Sequence, residues 1–160
     1  MPLRAGIGYD IHAKAAGRPL ILGGVRFEGD WGLAGHSDAD VLAHAIGDAL
    51  LGVVGLGDLG QHFPPGEAKW KNISSMKLLR LIRAMVEGRG GRIVNVDATV
   101  VAAAPQLSPV RDAMCANIAQ ALKIGGRQVS VKATTNESLG SLGRGEGIAA
   151  WAVAMVEVPE

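Results

Sequence analysis

Twenty-three glycines in 160 residues, about twice the usual share, constrain this chain more than any other feature. They gather at Gly6 and Gly8, at Gly23-Gly24, from Gly52 to Gly60, from Gly88 to Gly91 and from Gly140 to Gly147. Glycine tolerates positive φ and lets one backbone approach another, so the clusters mark turns and close crossings. No period of about 20–50 residues relates them, which excludes a repeat array. The apolar runs between them, such as Ile148 to Val156, fall short of the roughly 18 residues that span a bilayer.

The periodicity of those runs gives the elements. Arg4 to Tyr9 reads as a strand leading into Asp10. Pro19 to Phe27 reads as a second strand, bent or bulged at Gly23-Gly24, and the two are expected to pair early. From Ser37 or Asp38 to about Gly52, Val41, Leu42, Ala45, Ile46, Ala49 and Leu50 recur at helical spacing, with the Ser/Asp cluster as cap. Asp40, His44 and Asp48 then form one line along that helix. Leu56 to Lys71 lacks a period and holds Gly57, Gly60, Pro64, Pro65 and Gly66, so it is expected to be a long loop of the kind that serves as a lid. Ser74 or Ser75 caps a helix carrying Met76, Leu79, Ile82 and Val86, ended by Gly88 to Gly91. Arg92 to Ala103 is strand-like, Ser108-Pro109 opens a helix running to about Lys123, and Gln128 to Thr134 and Ile148 to Val158 complete the strands. Helices and strands interleave, but the early hairpin argues against a purely parallel, doubly wound sheet. The length fits one domain, residues 1–160.

Composition narrows the function. A formal net charge of +1, with three tryptophans, two phenylalanines and one tyrosine, supplies neither the basic footprint nor the stacking platforms of a nucleic-acid binder. Met-Pro-Leu-Arg leads directly into an apolar segment without the order of a secretory signal, so a soluble, cytoplasmic protein with no membrane partner is expected. Cys115, the lone cysteine, falls in a helical apolar pattern and is expected in the core.

Several polar groups stand out. Asp10 and His12, two apart in a strand, point to one face, and His44 offers a third ligand. Three ligands with a fourth position free are the arrangement of a catalytic zinc. On spacing alone, local hydrogen bonds and a satisfied core histidine explain the same residues. A carboxylate such as Asp40 is placed to orient the second nitrogen of a ligating imidazole. His36 precedes a helix N-terminus, where an anion is favoured, or is an ordinary loop residue. Leu56-Gly57-Asp58-Leu59-Gly60 is either a plain turn or a polyol contact. Lys132 to Glu137 is a strand end that caps a helix, or a holder of phosphate oxygens and a hard cation. Gly143-Arg144-Gly145-Glu146-Gly147 lacks the lysine and hydroxyl of a P-loop and reads as a tight turn with an Arg/Glu pair.

Taken in order, Gly8 to His12, His36 to Asp40, the helix with His44 and Asp48, Leu56 to Gly60, Asn95-Val96-Asp97, Ala104-Pro105, Lys132 to Thr135 and Gly143 to Gly147 resemble the 2-C-methyl-D-erythritol 2,4-cyclodiphosphate synthase family. The resemblance covers nearly the whole chain. It implies an α+β subunit with a mixed four-stranded sheet, helices on one face and an extra β-hairpin, assembled as a homotrimer with active sites between subunits. It implies zinc, or another divalent cation, on Asp10, His12 and His44, and magnesium or manganese on Glu137 between the substrate phosphates. His36 and Thr135 match positions that stabilise the transition state. Asp58, Leu59 and Gly60 match contacts to methylerythritol. Ala102, Pro105, Gln106, Leu107 and Ser108, with Ala133 and Thr134, match a cytidine pocket from the adjacent subunit. The implied substrate-binding set also includes Ser37, Asp48, Phe63, Glu67, Lys71 and Arg144. The implied reaction closes a cyclic diphosphate from a cytidyl-linked phosphate and releases CMP.

Two departures stand out. Members commonly carry Phe-Pro-Asp-x-Asp where this chain has Phe63-Pro64-Pro65-Gly66-Glu67, so a carboxylate is missing at Pro65, with Glu67 and Lys71 the remaining polar groups. Many members have lysine at Gln106. An isoprenoid diphosphate is suggested to bind along the trimer axis in some members, but Ser141 stands where some of them have phenylalanine, and that ligand is not expected here. A zinc phosphohydrolase and a non-catalytic nucleotide-binding regulator are the competing readings.

Overall fold

The computed structural model describes residues 1–160. Strand β1 (Leu3–Ala16) is followed by β2 (Leu20–Leu22), β3 (Val25–Phe27) and β4 (Trp31–Leu33). Then come α1 (Val41–Val53), α2 (Leu59–His62), α3 (Ser75–Gly88), β5 (Arg92–Val101), α4 (Arg111–Leu122), β6 (Val129–Thr134), α5 (Gly140–Gly143) and β7 (Gly147–Glu157). The main sheet has five strands in the order β4-β1-β7-β5-β6, and β2-β3 form a separate two-stranded sheet. Only β5 and β6 run parallel, so the sheet is mixed.

The α+β class and the extra hairpin are as the sequence implies, but the sheet has five strands, not four. The fifth is β4, whose Trp31, Gly32 and Leu33 pair with the end of β1. The expected early pairing also fails. Pro19 to Phe27 is not one bent strand: Gly23 (φ 56°) and Gly24 (φ 73°) turn the chain, and Leu20 to Leu22 pairs with Val25 to Phe27 instead. Strand β1 takes β7 as its long partner, from Leu3 opposite Glu157 to Ala13 opposite Gly147.

Alternation in β1 and β7 divides the sheet into two faces. Ile148, Ala150, Ala152, Ala154 and Val156 are buried under the helices, as is Gly8, with Gly6, Asp10 and His12 on the same side. Leu3, Ile7, Tyr9, Ile11, Trp151 and Val153 lie exposed on the other. The interior is one cluster of 38 buried residues, centred on α1 with Leu42, Ile46 and Leu50. The approach of α1 to β1 depends on Gly6 and Gly8, where a Cβ would meet the backbone carbonyl oxygens of Ala49 at 2.2 Å and Ala45 at 1.8 Å. Cys115 is only partly buried, which raises its thiol pKa, and packs at the margin of the core.

Helix α1 starts later than the Ser37/Asp38 cluster suggests. Ala39 is left-handed (φ 59°), so the helix cannot extend through it, and Asp40 is the N-cap, accepting from Ala43 N. The Leu56 to Lys71 stretch is not structureless: it contains α2, capped by Asp58, and a 3-10 turn at Ala68–Trp70.

Candidate active site

Strand β1 delivers Asp10 and His12 to the face that α1 covers, and α1 places His44 above them. The three ligand atoms form a small triangle. His12 Nε2 lies 2.8 Å from Asp10 Oδ2, His44 Nδ1 lies 3.1 Å from the same oxygen, and the two nitrogens are 3.1 Å apart. A tetrahedral ion with bonds of roughly 2.0–2.1 Å keeps its ligand atoms about 3.3 Å apart, so this triangle is one face of such a shell. The donor set fits a divalent metal. His12 Nδ1 donates to the Ala34 carbonyl at 2.7 Å, which leaves Nε2 to face the triangle.

Asp40 does not orient His44. Its Oδ1 accepts from Gly23 N at 3.0 Å and Ala43 N at 3.0 Å, and its Oδ2 from Gly24 N at 2.8 Å, which ties the β2-β3 turn to the start of α1. Full burial, then the neighbouring Asp38 charge, pushes the Asp40 carboxyl up, against the pull of those three N–H groups. His44 Nε2 instead meets Ser75 Oγ at 2.9 Å and Ser37 Oγ at 3.1 Å. The sequence assigned Ser75 only a capping role. Its partners are 31 and 37 residues away in the chain, and no local pattern signals them.

The triangle opens into a cleft of about 360 Å³. Of the expected residues, Asp10, His12, His36, Ser37, His44, Asp48, Asp58, Leu59, Gly60 and Phe63 line it. Pro65, Trp70, Ile73 and Leu78 line it too and were not anticipated, although an apolar pair at Trp70 and Ile73 in an otherwise polar loop was a usable signal. The Glu67 and Lys71 side chains are not part of the wall. Glu67 contributes its carbonyl, which accepts from His36 Nε2 at 2.9 Å, while Asn72 N donates to the His36 carbonyl at 2.9 Å. His36 thus pins the lid segment at two points. Asp48 accepts from Leu59 N at 2.8 Å, joining α1 to α2; burial raises its carboxyl pKa, opposed by that N–H.

The other expected residues lie elsewhere on the subunit. Leu107, Ser108 and Ala133 line a second cleft of about 240 Å³ with Arg111, Met114, Val131 and Lys132. Ala102 N donates to the Thr134 carbonyl, and the Ala104-Pro105 peptide is cis. Thr135 and Glu137 follow β6 on an exposed turn, with Glu137 N donating to Thr135 Oγ1 at 3.2 Å. Neither lines the metal cleft. Arg144 pairs with Glu146 through Nη2 at 3.1 Å, as the turn motif implies.

Residues 3–157 match the model of the YgbB family. The chain belongs to the YgbB family. The 2-C-methyl-D-erythritol 2,4-cyclodiphosphate synthase of Desulfatibacillum aliphaticivorans is 55% identical over 155 residues, covering 97% of this chain and 100% of that protein. A bifunctional IspD/IspF enzyme of Anaeromyxobacter sp. (strain Fw109-5) is 57% identical over 97% of this chain, which spans only 40% of that protein's length. The Plasmodium falciparum IspF complex with CDP superposes with a TM-score of 0.86 at 34% identity, covering 99% of this chain and 97% of that one. The resemblance to the 2-C-methyl-D-erythritol 2,4-cyclodiphosphate synthase family read from the ordered motifs is thereby shown.

Protonation of this YgbB-family triangle sets a pH dependence. Burial pushes the Asp10 carboxyl up, but hydrogen bonds and charges from His12 and His44 outweigh it and hold it well below the usual carboxylate range. Burial lowers the His12 pKa, but the hydrogen bond and charge of Asp10 prevail and raise it above the ordinary imidazole value. Metal needs His12 neutral, so below that raised pKa each ion displaces a proton, whereas Asp10 stays ionised throughout. Divalent-metal affinity, measured by chelator competition, is therefore expected to be flat well above the His12 pKa and to fall by at least about tenfold per pH unit below it, since His44 must bind in its neutral form as well. A flat profile from pH 8 to pH 5, or a fall toward high pH, would contradict this.

Proposed function

We propose that this chain is a 2-C-methyl-D-erythritol 2,4-cyclodiphosphate synthase, a phosphorus-oxygen lyase of isoprenoid biosynthesis acting as one domain in the cytoplasm. Its substrate is 4-diphosphocytidyl-2-C-methyl-D-erythritol 2-phosphate. A 2-phosphate oxygen attacks the β-phosphorus, the bond from that phosphorus to the bridging oxygen breaks, and CMP leaves with the oxygen. The observation that carries this reading is the Asp10/His12/His44 triangle at the base of a cleft walled by Asp58, Leu59 and Gly60, in a YgbB-family chain.

The residues divide the work. Asp10, His12 and His44 hold zinc or another divalent ion, which supplies positive charge to phosphate oxygens when bound. His36 commits its Nε2 proton to the Glu67 carbonyl, so its contact to a phosphate falls to Nδ1, as a donor in the imidazolium form; Ser37 and Asp48 border the same space. Asp58, Leu59 and Gly60 position the polyol against Phe63, Trp70 and Ile73. Bringing the two phosphates together in one bent conformer supplies much of the rate, and no protein nucleophile is required.

Thr135 as a transition-state donor and Glu137 as the ligand of magnesium or manganese require a second subunit, because both lie outside the metal cleft of their own chain. So does a cytidine site built from Ala102, Pro105, Gln106, Leu107, Ser108, Ala133 and Thr134. The exposed apolar face of Leu3, Ile7, Tyr9, Ile11, Trp151 and Val153 supports a homotrimer that buries it. The CDP bound to the Plasmodium falciparum relative supports a cytidine nucleotide as ligand. No helix is long and apolar enough to cross a membrane.

The deciding experiment is product analysis in ¹⁸O-labelled water with zinc and magnesium present. CMP and cyclic diphosphate are expected in equal amounts with no solvent oxygen in either. Solvent oxygen in the product would identify a hydrolase, and tight CDP binding without turnover would identify a regulator.

A further inference from the structure

Asp38, Ser75 and His44 form a hydrogen-bond chain whose direction is fixed at one end. Asp38 accepts from three donors. Its Oδ2 takes Ser75 N at 2.8 Å, and its Oδ1 takes Asp40 N at 3.1 Å and the Ser75 hydroxyl. A carboxylate surrounded by donors can only accept. The Ser75 proton is therefore committed to Asp38, and Ser75 Oγ, 2.9 Å from His44 Nε2, must accept there. Nε2 then carries the His44 proton and Nδ1 turns its lone pair into the triangle, against the competing pull of the Asp10 carboxylate, whose Oδ2 lies 3.1 Å from Nδ1 and also only accepts. Ser37 Oγ does not decide the matter. It lies 3.1 Å from the same nitrogen and accepts from Ala39 N at 3.2 Å, which leaves its own proton free to turn.

We propose that Ser75, with its hydroxyl aimed by Asp38, is a positioning residue that holds His44 as the Nε2–H tautomer and so keeps Nδ1 free for the metal. This rests on the metal reading of the triangle given above. Ser75 is fully buried, so water does not compete for the link. The role differs from helix capping: Ser74 is the N-cap of α3, and its side chain makes no capping bond.

The sharpest test is Asp38→Asn, which preserves the shape of the side chain. The amide must set its oxygen against one backbone N–H and its NH2 against the other. Keeping the shorter bond to Ser75 N places NH2 against Ser75 Oγ. The Ser75 proton then turns to His44 Nε2, and the His44 proton moves to Nδ1, where it blocks the ligand position. ¹⁵N NMR of histidine in the metal-free protein, at a pH where His44 is neutral, reads the tautomer directly. Zinc affinity by chelator competition reads its consequence.

Wild type is expected to show Nδ1 unprotonated, and Asp38→Asn to show the reverse with zinc affinity about 10–100-fold weaker. Ser75→Ala is expected to give a mixture of tautomers and a loss of similar size, Ser75→Thr to restore binding, and Ser37→Ala to leave the tautomer unchanged. If Ser75→Ala does not fold, Asp38→Asn decides the question, because it removes no heavy atom. A wild type with the proton on Nδ1, or both variants binding zinc within twofold of it, overturns the inference. A wild type that binds no zinc at all sinks the metal reading instead, while the NMR result still decides the tautomer.

Discussion

His44→Ala is expected to lower kcat/KM by about a thousandfold or more in zinc- and magnesium-replete buffer, and chelation of the wild type is expected to do the same. A bound divalent ion contributes several kcal/mol of charge stabilisation, and each 1.4 kcal/mol is about a factor of ten. Without His44 only Asp10 and His12 remain, and their atoms, 2.8 Å apart, pair with each other as an ion pair. The fold should survive. The lost imidazole leaves hydrogen-bond partners only at Asp10, His12, Ser37 and Ser75, a cost of about 1–3 kcal/mol against a core that His44 does not join. CMP release and a thermal melt on the same preparation separate the two effects. More than a tenth of wild-type turnover in a folded, metal-replete variant would rule out the triangle as the catalytic metal centre.

Most of the metal site was legible because it depends on short-range rules. Asp10 and His12 share a face by the period of a strand, and His44 and Asp48 share one by the period of a helix; all four line the cleft. The line failed at Asp40, since helical spacing holds only inside a helix. The left-handed Ala39 makes Asp40 a cap, turned toward Gly23 and Gly24. Long-range partners were not legible. The hydroxyl of Ser75 reaching His44, the pairing of Trp31 to Leu33 with the end of β1, and the walls at Trp70 and Leu78 all depend on how elements pack. The ordered motifs carried the family and, with it, the expectation of active sites between subunits, which agrees with Thr135 and Glu137 lying away from the triangle of their own chain.

Gly8→Ala is expected to destabilise the protein by about 3 kcal/mol, the upper end of what overpacking usually costs, and to weaken the metal site in the same step. The added Cβ would stand 1.8 Å from Ala45 O and 2.8 Å from Ala49 N, both backbone atoms of α1 with no rotamer to change. Relief requires β1 and α1 to separate by about 1.5 Å before ordinary contact distances return. These two elements carry Asp10 and His44, each next to or near the clash, and Asp10 Oδ2 lies only 3.1 Å from His44 Nδ1. A shift of that size opens the triangle beyond the span of one ion. At about 2–4 °C per kcal/mol for a chain of this length, the melting temperature should fall by roughly 6–12 °C. Gly52→Ala in the same helix is the control. No atom lies within 4 Å of the Cβ it would add, so it should be neutral or stabilise by up to about 1 kcal/mol through helix propensity. If Gly8→Ala melts within about 2 °C of wild type and binds zinc as tightly, then the close crossing at Gly8 does not set the spacing of the metal ligands.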